Sequence, residues 1–232
     1  MAKVIKQYLG VVRGKLGPEV FKEMNGESYV ASAPSKPAPS TNPKVIARRN
    51  SFGLVMKLGH AISSIPNLKY FWKSFIIPTH PKAKTACNKV VVVNYHNASV
   101  SGLSNSTALV PEKGFVASST SITMNNTSVT VVLAPIGSSS IIDPAVDITV
   151  SLACVLHLSG PTDQYDVNNR MLHISSVSQP LSLVNPLTFE IDLDDIDKQY
   201  FDEYTTKKAF FALVTFDADD VPLHYSNTFH SS

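Results

Sequence analysis

Charge is scarce in this chain of 232 residues: Asp, Glu, Lys and Arg together make up 16%, a composition that argues against helical bundles with salt-bridged faces. No apolar run approaches the roughly 18 residues needed for a membrane-crossing helix. The longest candidates, Val90–Val93 and Val129–Pro135, have strand length, so no membrane partner is expected. There are only two cysteines. Cys87 and Cys154 stand far apart among apolar neighbours, which predicts small buried thiols and no disulfide framework. The opening MAKVIKQYLGVVRGKLG has neither an uninterrupted apolar core nor a small-residue cleavage pattern, so no secretory leader is predicted. The Asn-X-Ser/Thr triplets at Asn97, Asn105, Asn125 and Asn126 then read as turn and strand-edge chemistry.

Motifs that carry chemistry are missing too. The sequence has no G-x-S-x-G elbow, no G-x-x-x-x-G-K-[ST] phosphate loop, no H-E-x-x-H and no Cys-x-x-Cys, the arrangements that would announce a nucleophile, a nucleotide or a metal. Gly10, Gly14 and Gly17 fail the G-x-G-x-x-G spacing, and seven histidines fall at no ligand interval. Asp192, Asp194, Asp195 and Asp197 invite a hard cation, yet an EF-hand register would need a glycine at loop position 6 and a glutamate at position 12. They read instead as an acidic face, solvated or accepting a basic partner. No catalytic residue, cofactor or metal is expected, and the chain is read as a non-enzyme.

What is present is an uneven charge. Residues 1–85 carry 14 Lys and Arg against three acids, +11, while residues 86–232 carry 6 against 15, −9, which together give the +2 of the whole. Such asymmetry speaks of partners. The basic residues Lys3, Lys6, Arg13, Lys15 and Lys22 are spaced singly, whereas a phosphate-binding surface usually concentrates them. An acidic protein surface, including the acidic half of another copy, is therefore preferred over nucleic acid as the partner.

Along the chain, Val20-Phe21 and Tyr29-Val30 flank Asn25-Gly26, a strong hairpin signal. Four prolines between Ala33 and Lys44 predict an extended tether. Asn42 or Thr41 can cap a helix with Pro43 at its first position, and apolar spacing carries it to about residue 64. A second short helix over 67–75 presents Tyr70, Phe71 and Trp72, either as glue to the next domain or as an intersubunit anchor. From Cys87 the texture turns to short β-rich runs: Lys89–Tyr95, Ser118–Met124, Ser128–Ala134, Asp147–Leu158, Met171–Val177, Pro186–Ile191 and Lys208–Thr215. The acidic Asp192–Tyr204 reads as a loop or one helical turn. The expectation is a mainly β chain, with a basic arm over 1–85 and an immunoglobulin-like β-sandwich over 86–232.

The order Gly14-Lys15-Leu16-Gly17, Val20-Phe21, Gly26, Tyr29-Val30, the proline-rich stretch, Arg48-Arg49-Asn50-Ser51-Phe52 and Trp72 resembles the N-terminal pattern of a family of Bacteroidota and bacteriophage proteins. Their G-K-x-G hairpin, aromatic-valine strand, Pro/Thr/Asn-rich stretch and Arg/Phe helix follow in the same sequence. The closing Ala209–Asp217 and Tyr225-Ser226-Asn227-Thr228 are similar to that family's last strand and polar tail. The resemblance implies a virion structural component of a capsid, connector or tail, assembled in the host cytoplasm, with other copies of itself and other virion proteins as partners. Contacts by the arm are expected from Arg13, Lys15, Phe21, Tyr29, Arg48, Arg49, Phe52 and Trp72. A bacterial surface or filament module and a nucleic-acid-associated protein are the alternatives.

Overall fold

The computed structural model describes residues 2–3, 14–16, 19–24, 27–32, 40–137, 139, 141–163 and 167–231. They form two compact units, Met1–Thr41 and Asn42–Ser232.

The first unit is a small antiparallel sheet. Its strands are β1 (Ala2–Lys3), β2 (Gly14–Leu16), β3 (Glu19–Met24) and β4 (Glu27–Ser32), in the order β1-β4-β3-β2. β3 and β4 pair with Phe21 opposite Val30 and Met24 opposite Glu27, the register of the expected hairpin. The turn residues Asn25 and Gly26 lie outside the described residues, as do Arg13 and 33–39 of the proline-rich stretch.

The second unit opens with α1 (Pro43–Ser64), α2 (Pro66–Ser74) and α3 (Ala86–Asn94). Asn42 caps α1 by accepting the Lys44 N–H, with Pro43 in the first turn, as the sequence indicates. A small hairpin follows, β5 (Ala98–Ser99) and β6 (Gly102–Leu103), then β7 (Ser119–Met124), β8 (Ser128–Leu133), β9 (Thr149–Pro161), β10 (Asn169–Ser175), β11 (Gln179–Pro180) and β12 (Leu187–Asp192). Helix α4 (Asp195–Glu203) leads into β13 (Tyr204–Phe216), β14 (Pro222–Tyr225) and β15 (Phe229–His230).

Two antiparallel sheets do most of the packing. One runs β10-β9-β13-β14, with β11 also on β9 and β15 on β13; the other runs β12-β8-β7. Leu152, Cys154 and Leu156 of β9 and Phe211 and Leu213 of β13 share one core with Val129, Val131 and Leu133 of β8 and Phe189 and Ile191 of β12. The opposite face of the same strands, with Ala153, Val155, Phe210, Ala212 and Val214, is buried against Leu58, Ile62, Leu68, Trp72 and Val90 of the helices. The larger sheet is thus covered on both faces. That is why β9 and β13 are written as almost continuous apolar runs and not as alternating ones.

Three expectations are corrected. The boundary placed at residue 85 falls inside the second unit, because α1–α3 supply one of its two cores. The run Lys89–Tyr95 is not a strand: Thr85 caps α3 by accepting the Asn88 N–H, and Ala86, Lys89 and Val90 are buried. Helix propensity differs between Val and Ala by only tenths of a kcal/mol, so packing decides. The segment Asp192–Tyr204 holds a nine-residue helix capped by Asp194, which accepts the Asp197 N–H. Among the described residues no helix is long and apolar enough to cross a membrane.

Candidate functional site

The helical layer is cationic. No Asp or Glu occurs between Glu27 and Glu112, so α1, α2 and α3 carry their lysines and arginines with no carboxylate of their own. Buried Lys89 is spent internally: its ammonium donates to the Lys73 carbonyl at the end of α2, where a cation suits the helix dipole. Arg48, Arg49 and Phe52 are exposed on α1, Phe52 at 48%.

One flank of α1 lines a trough. Arg49, Asn50, Gly53 and Lys57 face the β5–β6 turn (Ser99, Val100, Ser101), the end of β9 (Ser159–Pro161) and Val167–Asn169 across a space of about 770 Å³. Lys57, His60, Ala61 and Ser64 continue along Asn169–Met171 and His173 around a further space of about 500 Å³. The positions 49, 53, 57, 60 and 64 recur at three- and four-residue intervals, so they form one stripe along the helix.

Contacts at the floor fix the cations. The Lys57 ammonium donates to the Asn169 carbonyl at 2.6 Å, and the Nε2 of buried His157 is 2.8 Å from Oδ1 of Asn169. Burial, with the Arg170 charge added, lowers the Lys57 pKa. Burial also lowers His157, helped by Lys208 and Lys57 and opposed by the Asn169 hydrogen bond. Arg170 stacks over the Tyr200 ring at 3.5 Å. Among the described residues no carboxylate lines the trough, though Asp197 lies within electrostatic reach of His173 at its far end.

A second polar cluster is structural in character. Asp147 is buried; its Oδ1 accepts from the Thr215 hydroxyl at 2.5 Å and lies 3.0 Å from His224 Nδ1, and its Oδ2 accepts from the Asp143 N–H. It ties the turn before β9 to β13 and β14. Among the described residues no hydroxyl or thiol is hydrogen-bonded to the second ring nitrogen of His224, so the arrangement of an acyl-transfer triad is not assembled there.

The expected contact residues are dispersed. Phe21 and Tyr29 are half-buried in the N-terminal sheet, and Lys15 lies in β2. Trp72 is fully buried, and its indole N–H donates to the Leu109 carbonyl at 2.7 Å; of its two weighed roles, only the one within the fold is open to it. Asp194 and Asp195 are engaged by the α4 cap and by Lys198, and Asp192 is exposed at the end of β12. Lys57, Gly53 and Asn169 were not singled out from sequence. The helix to about residue 64 and the run Met171–Val177 are each legible in the sequence, but not that one lies against the other. Comparison of the chain with models of known families, with curated proteins and with solved structures finds no match.

Proposed function

We propose that the protein is a non-enzymatic assembly component, a bacteriophage virion protein of the capsid, connector or tail, assembled in the host cytoplasm and joined to neighbouring copies and other virion proteins through its cationic N-terminal half. The observation that carries this reading is the separation of charge. The three helices carry lysines and arginines without an acid, while Asp192, Asp194, Asp195, Asp197, Asp202 and Glu203 cluster around α4. Complementary patches of this kind steer association and fix register between subunits. A four-stranded N-terminal sheet that forms a unit of its own adds a natural element for engaging a neighbour. The ordered resemblance of the first 75 residues to the Bacteroidota and bacteriophage family points the same way. The fold reading that accompanies it is an immunoglobulin-like sandwich bearing an added helical layer, supported by two antiparallel sheets that share one core.

Light scattering tests this on the full chain and on a chain beginning at Asn42, each at low and high salt. Starting at Asn42 keeps α1–α3 and both cores. Assemblies of the full chain that dissolve into folded monomers on truncation support the reading. Strict monomers of both, at high concentration and low salt, sink it. Nucleic-acid association, the second reading, requires retention of DNA or RNA that weakens steeply with salt.

A further inference from the structure

The trough between α1 and β10 contains a sheet edge. β10 is the terminal strand of its sheet. Its pairing with β9 sets Leu172 opposite Leu156, and Ser176 N–H donates to the Leu152 carbonyl in continuation of that register. The antiparallel ladder alternates, so Met171, His173 and Ser175 turn their N–H and C=O groups away from β9. Asn169, first in that series, has its outward carbonyl taken by Lys57. No other described main-chain group pairs with the remaining three.

The helix opposite has a peculiarity of its own. Gly53 lies within α1, where glycine costs about 1 kcal/mol relative to alanine, yet among the described residues nothing beyond the helix's own backbone lies within 4 Å of where its Cβ would stand. Gly59, by contrast, is needed for the approach of α3. The bare backbone at 53 therefore lines the trough between Arg49 and Lys57. Cations alone would serve to blunt a sheet edge against unwanted pairing, but a glycine in the wall does not serve that end.

We propose that the trough is a docking site for an extended, acidic peptide segment of a partner protein, which adds as a strand to the free edge of β10 and sets carboxylates against Arg49 and Lys57. Strand addition supplies affinity through main-chain hydrogen bonds and specificity through alternate side chains. From Arg49 to Ser64 the helix wall runs about 22 Å, the length of six or seven extended residues at about 3.3 Å each. Asn50, Asn168, Ser99 and Ser101 supply amide and hydroxyl partners for a peptide backbone, and no Phe, Tyr or Trp among the described lining residues offers a stacking platform for bases. The site lies wholly within Asn42–Ser232 and does not depend on the role given above to the N-terminal unit.

The test is selection of a displayed random heptapeptide library on the immobilised full chain, with the Arg49→Gln/Lys57→Gln double variant as counter-selection. Enriched peptides are then synthesised and titrated by fluorescence anisotropy. The expected result is enrichment of sequences with acids at alternate positions, binding weakened about tenfold or more by Lys57→Gln or Arg49→Gln, and little change on Lys69→Glu, an exposed site on α2. Gly53→Ala should weaken binding while the melting temperature holds or rises, which separates docking from folding. Proline at alternate peptide positions should abolish binding, and bound peptide should slow hydrogen exchange at Met171, His173 and Ser175. Failure to enrich any peptide over the double variant, enrichment without acidic bias, or equal binding by the proline-substituted peptides overturns the proposal. So does selected-peptide binding that needs a second copy of the chain, seen as dimerisation on titration.

Discussion

A Cβ added to Gly59 on α1 would stand 2.9 Å from Sγ of Cys87 and 3.1 Å from its carbonyl oxygen on α3. The two helices cross at this point because one of them has no side chain there. Gly53, six residues earlier on the same helix, has nothing among the described residues within 4 Å beyond the helix's own backbone. Replacing either by alanine removes the same backbone-entropy cost of about 1 kcal/mol, but only at Gly59 must the thiol and then the α3 backbone give way. Gly59→Ala is expected to destabilise by roughly 1–2 kcal/mol net of that gain, as overpacking does, whereas Gly53→Ala should stabilise by about 0.5–1 kcal/mol. Urea denaturation of the two variants side by side checks the opposite signs.

Trp72 is the sole tryptophan, and it joins α2 to the loop at Leu109 from within the core. Trp72→Phe removes the indole N–H, leaves the Leu109 carbonyl short of a donor and opens a void. The combined loss is expected to be roughly 2–4 kcal/mol. Unfolding followed by circular dichroism measures it, since the fluorophore is lost with the side chain. Association of the folded variant with other copies should be unchanged, because a fully buried ring presents nothing to a neighbour.

Local chemistry made the elements legible, and long-range burial made them hard to place. Asn42-Pro43 announced α1, and Asn25-Gly26 announced the β3–β4 pairing, because caps and tight turns are decided within a few residues. The strands β7–β10, β12 and β13 are each legible as short β-rich runs. The continuous apolar runs of β9 and β13 do not say which elements cover their second face; α1–α3 do, and so the boundary at residue 85 separates helices from strands that share a core. The run Lys89–Tyr95 has the texture of a strand, yet it is helical and packs on α1 where Gly59 meets Cys87, about thirty residues apart in sequence. The trough escaped for the same reason, since Lys57 and Asn169 meet only through the fold.

His157 makes the stability depend on mild acid. It is buried on β9 with Asn169 on one nitrogen, and burial together with the nearby Lys208 and Lys57 depresses its pKa below the ordinary 6.5. Between the folded value and 6.5 the unfolded chain binds a proton that the folded chain does not, so stability rises with pH across that interval and falls as pH drops through it. Replacing the ring by a neutral amide in His157→Gln should flatten this part of the stability profile, at some loss of stability at pH 7.5. Chemical denaturation at half-unit steps from pH 7.5 to 5 is the measurement; an unchanged slope in the variant would assign the dependence elsewhere.

At lower pH the Asp147 cluster takes over, with a shift that is also downward but favours the charged form of the group. Burial by itself would raise this carboxyl, but hydrogen bonds from Thr215, His224 and the Asp143 N–H, with the charge of His224 behind them, outweigh it and hold the pKa below the usual carboxylate value. A group depressed in the folded state contributes stability above its unfolded pKa of about 3.9 and loses it as pH falls through the folded value. Thr215 is itself fully buried, so Thr215→Val keeps the shape and removes one donor to a charged oxygen, at an expected cost of about 1.5–3 kcal/mol at neutral pH. With one fewer donor the carboxyl protonates more readily, so the variant should also lose its remaining stability at a higher pH than the parent chain. Acid titration of ellipticity for the two proteins reads both effects, and coincident acid transitions would mean that the Thr215 hydroxyl does not hold the carboxylate ionised.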